Sequence, residues 1–440
     1  MDKPPPGLII AAPASGSGKT VLTIGLLRHF QRRGLAVAPF KTGPDYIDSA
    51  YLAAAAGRDC VNLDGWSMRP ATLSGLIAGL QADAGLIIGE GVMGLFDGAS
   101  DGSGSTADLA ALTGWPVILV IDARGMAASA AAVVQGFAGH RDDITLCGVI
   151  FNRVGGSRHA TALRESCANS GCPPVLGCIP RHSALTIGER HLGLIQAAEL
   201  EGLDQLNEDA ADVVAHHVDT AALEALAKPG HGAGPRGGPP LPPLGQHIAV
   251  ARDDAFAFAY PWLLRAWRRA GCELSFFSAL ADEAPEGRAD AVYLPGGYPE
   301  LHAPRLAASG RFMAGLGRAA ARGAVVYGEC GGYMVLGRSL IDNEGVGHAM
   351  AGLLPIASSF AEPRLHLGYR RLSLASAGPL GAAGARFRGH EFHYATAMGE
   401  AGGAPLFQGA DAAGRAVSPL GATAGNVMGS FAHLLDRADD

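Results

Sequence analysis

Leu8-Ile9-Ile10-Ala11-Ala12 runs directly into Pro13-Ala14-Ser15-Gly16-Ser17-Gly18-Lys19-Thr20, and Val21 to Phe30 then reads as a helix. An apolar strand, a small-residue turn and a helix in that order are the setting of a phosphate-binding loop. The glycines let the backbone curl so that the N–H groups of Ser15, Gly16, Ser17 and Gly18 face phosphates, and the helix N-terminus adds positive potential. Lys19 is placed to reach the β- and γ-phosphates of a nucleotide, and the Thr20 hydroxyl to ligate Mg2+. The usual first glycine of such a loop is Pro13 here, which removes one N–H and leaves the later donors in place.

Working outward, short apolar runs at Leu86 to Gly89, Val117 to Asp122 and Cys147 to Asn152 alternate with Ala- and Leu-rich helical stretches. That is the pattern of a parallel sheet covered by helices. Lys41-Thr42-Gly43-Pro44-Asp45-Tyr46-Ile47-Asp48 packs one cation and two carboxylates into a turn-forming stretch, suited to a metal and a transferring phosphoryl group. Glu90 ends the run Leu86-Ile87-Ile88-Gly89, where a P-loop enzyme places a further magnesium contact. Lying after successive strands, these segments are expected to converge at the C-terminal edge of the sheet. Thr20, Asp45 and Glu90 are the expected metal residues. Asp45, Tyr46 and Asp48 are expected to meet the substrate, and Lys41 to act in catalysis.

The stretch Lys228 to Leu244 is Pro- and Gly-rich without apolar periodicity and reads as an unpacked linker. We therefore expect a domain over 1–227, a linker over 228–246 and a second domain over 247–440. Strand candidates at His247 to Ala251, Ala291 to Pro295 and Ala324 to Gly328, with a helix over Tyr260 to Ala270, make the second domain α/β as well. Gly328-Glu329-Cys330-Gly331-Gly332 between a strand and a helix is a nucleophile elbow. Small residues permit the tight turn that exposes Cys330, and the helix N-terminus is expected to lower its pKa. Leu294-Pro295-Gly296-Gly297 ends a neighbouring strand, so the N–H groups of Gly297 and Gly331 are candidates for an oxyanion hole. His433 in Gly429-Ser430-Phe431-Ala432-His433 is the candidate base.

The 440 residues are too many for one core of ordinary size, and the formal net charge of -7 leaves no basic footprint for nucleic acid or an anionic membrane. The start lacks a basic region followed by a long apolar run, and the apolar runs are strand-sized. A cytoplasmic location is expected. Seven cysteines without paired spacing fit a reducing compartment, and Cys167, Cys172 and Cys178 with His159 and His182 match no zinc pattern.

Residues 7 to 200 resemble dethiobiotin synthetase and its relatives, in which residues at the positions of Lys41, Asp45 and Glu90 serve the γ-phosphate and magnesium. Asn152-Arg153 looks like that family's adenine-recognition site, and Ala14 stands where dimerising partitioning ATPases carry an extra lysine. Residues 247 to 437 resemble class I glutamine amidotransferases, a flavodoxin-like α/β domain. The glutamate that usually follows the histidine by two residues is Leu435 here, leaving a Cys-His dyad with Asp436 as a stand-in. Together the segments AAPASGSGKT, KTGPDYID, EGVMGLFDG, LPGGYPE, GECGGYM, GHEFHY and GSFAHLL resemble the corrinoid a,c-diamide synthases. That resemblance implies ATP-, Mg2+- and glutamine-dependent amidation of two acetate carboxylates of a tetrapyrrole-derived macrocycle through an acyl phosphate. The opening GLIIAAPASGSGKT looks closer to the aerobic branch, whose substrate is metal-free hydrogenobyrinic acid, than to the cobyrinic acid branch. Cobyric acid synthase, nickel-sirohydrochlorin diamide synthase and an ATP-controlled scaffold are the alternatives, and a homodimer is compatible with the sequence.

Overall fold

The computed structural model describes residues 4–182, 185, 187–190, 193–231, 234, 237–398 and 403–439. The chain divides into two compact units. The first extends to Trp66 and resumes at Leu73, while the second takes Ser67–Thr72 and the chain from Gly237 onward.

In the first unit, seven parallel strands form one sheet: β1 (Pro6–Ala11), β2 (Val37–Thr42), β3 (Val61–Leu63), β4 (Leu86–Glu90), β5 (Val117–Asp122), β6 (Leu146–Val154) and β7 (Val175–Pro180). Their spatial order is β3-β2-β4-β1-β5-β6-β7. Helices such as α1 (Lys19–Arg32) and α2 (Ile47–Ala56) link them. Leu8 to Ile10 and Val117 to Val120 are fully buried, as continuous apolar strands must be when both sheet faces are covered. The register sets the site. Ile10 pairs with Glu90, Lys41 with the same Glu90, and Asp122 with Asn152. The polar residues that close each apolar run therefore lie level along the C-terminal edge.

The second unit carries a sheet in which His247–Ala251, Glu273–Phe277, Ala291–Leu294, Val325–Glu329 and Val427–Ser430 run parallel. Numbered by sequence, their spatial order is 2-1-3-4-5, with Ala422–Ala424 added antiparallel at the edge. This is the flavodoxin-like arrangement. A separate antiparallel sheet includes His366–Leu374, Arg386–His393 and His433–Arg437. Gly389 is a point of close approach there: a Cβ would stand 2.2 Å from the His433 carbonyl oxygen.

The strand and helix positions expected from periodicity occur in both units, with ends moved by at most two residues. The reading of 228–246 as unpacked needs correction. Lys228–Pro229 pairs antiparallel with Pro6–Gly7, and His231 N donates to Thr113 O at 2.8 Å. Further on, Leu241 and Leu244 are buried, Leu241 O accepts from Trp267 Nε1, and Pro240 O accepts from Arg437 N. Proline lacks a donor but keeps its carbonyl, and the leucines between the prolines find apolar cover. Among the described residues no helix is long and apolar enough to cross a membrane.

Candidate functional site

At the edge of the first unit, Gly18 caps α1 in the left-handed region with φ 92. A Cβ on Gly18 would stand 2.2 Å from Asn152 Nδ2, so both the backbone angle and the packing demand glycine. Asn152 Nδ2 donates to Ser17 O at 2.9 Å, while Arg153 Nη1 donates to Gly16 O at 2.7 Å and pairs with Asp122 at 2.6 Å. The expected adenine-binding pair thus braces the loop from outside. Ser15 and Gly16 are exposed on the loop, and Ser17 Oγ closes it by donating to Ala14 O.

Lys19 Nζ ends on the carbonyls of Met93 (2.7 Å) and Ala14 (3.3 Å), and burial lowers its pKa. Thr20 Oγ1 donates to Glu90 Oε1 at 2.8 Å. The same oxygen accepts from Lys41 Nζ at 2.8 Å, and Lys41 also pairs with Asp48 Oδ2 at 2.6 Å. Burial works against the Lys41 charge, but Asp48 and Glu90 outweigh it and hold the ammonium above its usual range. Glu90 is pushed up by burial, with Lys41 opposing. Asp45 is pushed up to about 7 by burial and by Asp48, whose N–H bonds its Oδ1 at 2.9 Å. The structure thus brings Thr20, Lys41, Asp45, Asp48 and Glu90 into one cluster. Tyr46 sits between Asp45 and Asp48, half-buried, as the residue preceding α2.

Glu90 Oε2 is buried with no hydrogen-bond partner among the described residues. An orphaned carboxylate oxygen beside a serviceable hydroxyl is the donor set that Mg2+ takes, so the residues present fit that ion. Sequence reasoning missed Asn62, whose Nδ2 donates to Gly43 O (2.9 Å), Asp45 O (2.8 Å) and Ser49 Oγ (3.2 Å), pinning the loop that carries Asp45. Its sole sequence signal was a polar residue inside a short strand.

In the second unit, Cys330 adopts φ 47 and ψ -105, a strained angle for a residue with a Cβ. The turn is held by Cys330 N donating to Ser430 O at 2.8 Å and Gly332 N to Pro295 O at 3.1 Å. A Cβ on Gly332 would stand 2.0 Å from Leu294 O, so the second glycine after the cysteine is required by packing. A Cβ on Gly331 would stand 3.1 Å from Gly297 N. The two expected oxyanion donors therefore come from adjacent backbone. Gly296 faces both of the residues expected to react: its Cβ would lie 3.3 Å from Cys330 Cβ and 3.2 Å from His433 Nε2.

Two expectations fail in this unit. The Cys330 thiol is pushed up, not down. Burial is the main cause, with Glu300 adding to it and only the Gly331 N–H opposing. The following helix, Gly331–Leu336, is too short to outweigh burial. Burial, together with His390 and His393, lowers the His433 pKa, so the resting pair is a neutral thiol beside a neutral imidazole. Nor is Asp436 a stand-in for the triad acid. It is fully buried and spoken for: Arg69 N donates to Oδ2 at 2.8 Å and Arg69 Nε to Oδ1 at 3.0 Å. Leu435 is also fully buried.

Sequence reasoning also missed Glu329. Both its oxygens are engaged: Tyr293 Oη donates at 2.8 Å, Tyr327 Oη at 2.9 Å and Leu434 N at 3.2 Å. His390 stacks on His433 with ring centroids 4.9 Å apart, and Tyr260 Oη bonds His390 Nε2 at 3.1 Å.

Two family models match the chain. Residues 8–195 match the model of the CobQ/CobB/MinD/ParA nucleotide binding domain, and residues 247–440 that of the CobB/CobQ-like glutamine amidotransferase domain. The chain is 54% identical over 432 residues to hydrogenobyrinate a,c-diamide synthase of Brucella anthropi, covering 98% of each chain. It is 54% identical to the protein of the same name from Rhodobacter capsulatus, covering 99% of this chain and all of that one. For the Rhizobium meliloti protein of that name the identity is 51%, over 98% of this chain and all of the relative.

Proposed function

This chain belongs to the hydrogenobyrinate a,c-diamide synthase family of glutamine-hydrolysing amide ligases, and from that premise we propose that it amidates the a- and c-acetate carboxylates of hydrogenobyrinic acid with ATP and L-glutamine in cobalamin biosynthesis. The reading is supported by a chain that aligns end to end with those relatives and by a cluster of expected residues in each unit, Thr20, Lys41 and Glu90 in the first and Cys330 with His433 in the second.

A carboxylate does not exchange its oxygen for ammonia unaided, because the oxygen leaves poorly. In the first unit the substrate carboxylate attacks the γ-phosphorus of ATP, the bond to the β-phosphate oxygen breaks, ADP leaves, and an acyl phosphate remains. The loop amides and Lys19 hold the phosphates. Lys41, kept charged by Asp48 and Glu90, neutralises charge on the transferring group. Thr20, Glu90 and Asp45 would hold Mg2+, which would supply positive charge to the phosphates. Asp45, Tyr46 and Asp48 face the macrocycle, and Asn152 and Arg153 set the adenine end of the loop.

In the second unit Cys330 releases ammonia from glutamine, with Gly297 and Gly331 N–H groups receiving the oxyanion. Ammonia then displaces phosphate from the acyl phosphate to give the amide. The working division is 1–227 and 247–440 joined through 228–246, in the cytoplasm, and a homodimer is the oligomeric state to check by sedimentation. The deciding experiment incubates the enzyme with ATP, Mg2+, glutamine and either hydrogenobyrinic or cobyrinic acid, with products weighed by mass spectrometry. Two exchanges of hydroxyl for amide on the metal-free macrocycle are expected; none on either macrocycle, or four, overturns the reading.

A further inference from the structure

We propose that Glu329, the residue immediately before the nucleophile, orients His433 and completes the glutaminase as a Cys330–His433–Glu329 triad. The inference rests on the reading of Cys330 and His433 as the glutaminase pair, and deepens it.

The imidazole has two nitrogens, and the structure gives them different neighbours. Nε2 lies on the Gly296 side, where a Cβ would be 3.2 Å away and where Cys330 Cβ also lies. Nδ1 faces Glu329 Oε2 at 3.9 Å, and both side chains are only 2% exposed. In a working triad the base turns one nitrogen to the nucleophile and donates from the other to a carboxylate. The separation is longer than a hydrogen bond, as such contacts often are before substrate binds.

Glu329 is also prepared for the role. Two tyrosine hydroxyls and the Leu434 N–H hold its carboxylate, while among the described residues no lysine or arginine pairs with it. A buried carboxylate carries a desolvation cost that a nearby cation would offset. The cation available here is the imidazolium that forms on His433 during turnover. Because Leu434 follows His433 directly, the donor that fixes the carboxylate and the base it orients share one stretch of backbone. Of the neighbouring residues, Leu435 has no charge, Asp436 is held by Arg69, Glu391 is held by Arg370, and His390 brings no anion.

The chemistry then follows with every proton placed. Cys330 Sγ attacks the glutamine amide carbon, and its proton moves to Nε2 of His433. The Nδ1–H of the resulting imidazolium donates to the Glu329 carboxylate. As the C–N bond breaks, the proton passes from Nε2 to the departing nitrogen and ammonia leaves a thioester behind. Water then attacks the thioester carbon and gives up a proton to Nε2. That proton returns to the sulfur as the C–S bond breaks and glutamate is released.

The test compares the parent, Glu329→Gln, Glu329→Asp and Cys330→Ala, each assayed for diamide synthesis with glutamine and, separately, with ammonium at raised pH. For Glu329→Gln the glutamine-dependent kcat is expected to fall about 100-fold or more, with the KM for glutamine within about threefold of the parent and ammonia-dependent synthesis retained. Glu329→Asp, which keeps the charge at shorter reach, is expected to recover about tenfold of that loss. Retention of the parental glutamine-dependent kcat by Glu329→Gln overturns the inference. Should Glu329→Gln lose both activities through misfolding, Glu329→Asp decides alone. A selective fall in glutamine-dependent kcat supports the inference, and parental activity or an equal fall with both donors overturns it. A Cys330→Ala protein that still uses glutamine would instead show the underlying glutaminase reading to be wrong.

Discussion

Thr20 Oγ1 stands 2.8 Å from Glu90 Oε1, joining the first residues of α1 to the last residue of β4 at one point. Strand register brings them there, since Glu90 lies beside Ile10 and the chain continues from β1 through the loop to α1. The same carboxylate leaves its second oxygen unpartnered in the interior.

Glu90 thus has one oxygen held by Thr20 and Lys41 and, among the described residues, one without a hydrogen-bond partner. Glu90→Gln is expected to lower ATP-dependent turnover by about 100-fold or more, as removal of a preorganised charge contact does. Thr20→Ala is expected to do the same while raising the Mg2+ concentration needed for half-maximal rate. ADP release measured across a Mg2+ titration checks both, and a Glu90→Gln enzyme with parental rate and Mg2+ dependence refutes the assignment.

Asp48 and Tyr46 lie beside Asp45, and Asp48 meets Lys41, whereas Thr20 meets Glu90. Tyr46→Phe and Asp48→Asn are therefore expected to raise the corrinoid KM or the monoamide-to-diamide ratio more than the ATP KM. Chromatography of the products over time, at varied macrocycle and varied ATP, separates the two effects.

The two half-reactions are chemically independent, so Cys330→Ala should abolish glutamine use and leave ammonia use intact. His433→Ala is expected to impair glutamine use nearly as fully, because burial keeps the thiol protonated without a base to accept its proton. Glutamate release, followed alongside diamide formation with each nitrogen donor, provides the check.

Burial pushes Asp45 and Glu329 each up to about 7. A carboxyl whose folded pKa lies above its unfolded value takes up protons on folding, so its contribution favours the folded state at low pH and is lost as pH rises through the folded value. Relative to the parent, Asp45→Asn is therefore expected to remove the part of the stability change between about pH 4 and about pH 7 that this carboxyl contributes in the ligand-free enzyme. Melting curves at constant ionic strength read this directly; a slope unchanged by Asp45→Asn counts against it.

Arg69→Ala would leave the Asp436 carboxylate buried without its cation, a change expected to cost about 3 kcal/mol or more of stability. Glutamine-dependent activity measured well below the melting temperature should survive Asp436→Asn. Chemical denaturation and a glutaminase assay on the two variants check this.

The elements around each reaction centre were legible because their signals are local. A strand, glycines and a Lys-Thr pair within thirteen residues specify the phosphate loop, and Gly331 and Gly332 beside Cys330 specify the elbow. Convergence of Lys41, Asp45 and Glu90 followed from parallel-sheet logic, and register fulfils it. The misreadings arose where the deciding partner was remote or the environment unknown. Arg69 is 367 residues from Asp436, so nothing near His433 revealed that the aspartate was occupied. The Cys330 pKa was judged from the helix end alone, whereas burial dominates it. Pro and Gly between 228 and 246 announced irregular backbone correctly but said nothing of the buried Leu241 and Leu244.

Ser67–Thr72 packs with the second unit although the chain on either side of it belongs to the first. Cutting the gene anywhere between 228 and 246 would therefore not release two self-sufficient proteins. The C-terminal fragment would carry Asp436 without Arg69, and the N-terminal fragment would display an arginine loop with nothing to hold it. A bisected version should be soluble and active only when both fragments are produced together, so the fusion is maintained by a contributed six-residue segment, ending in the first turn of the helix Pro70–Ala82, as much as by the tether.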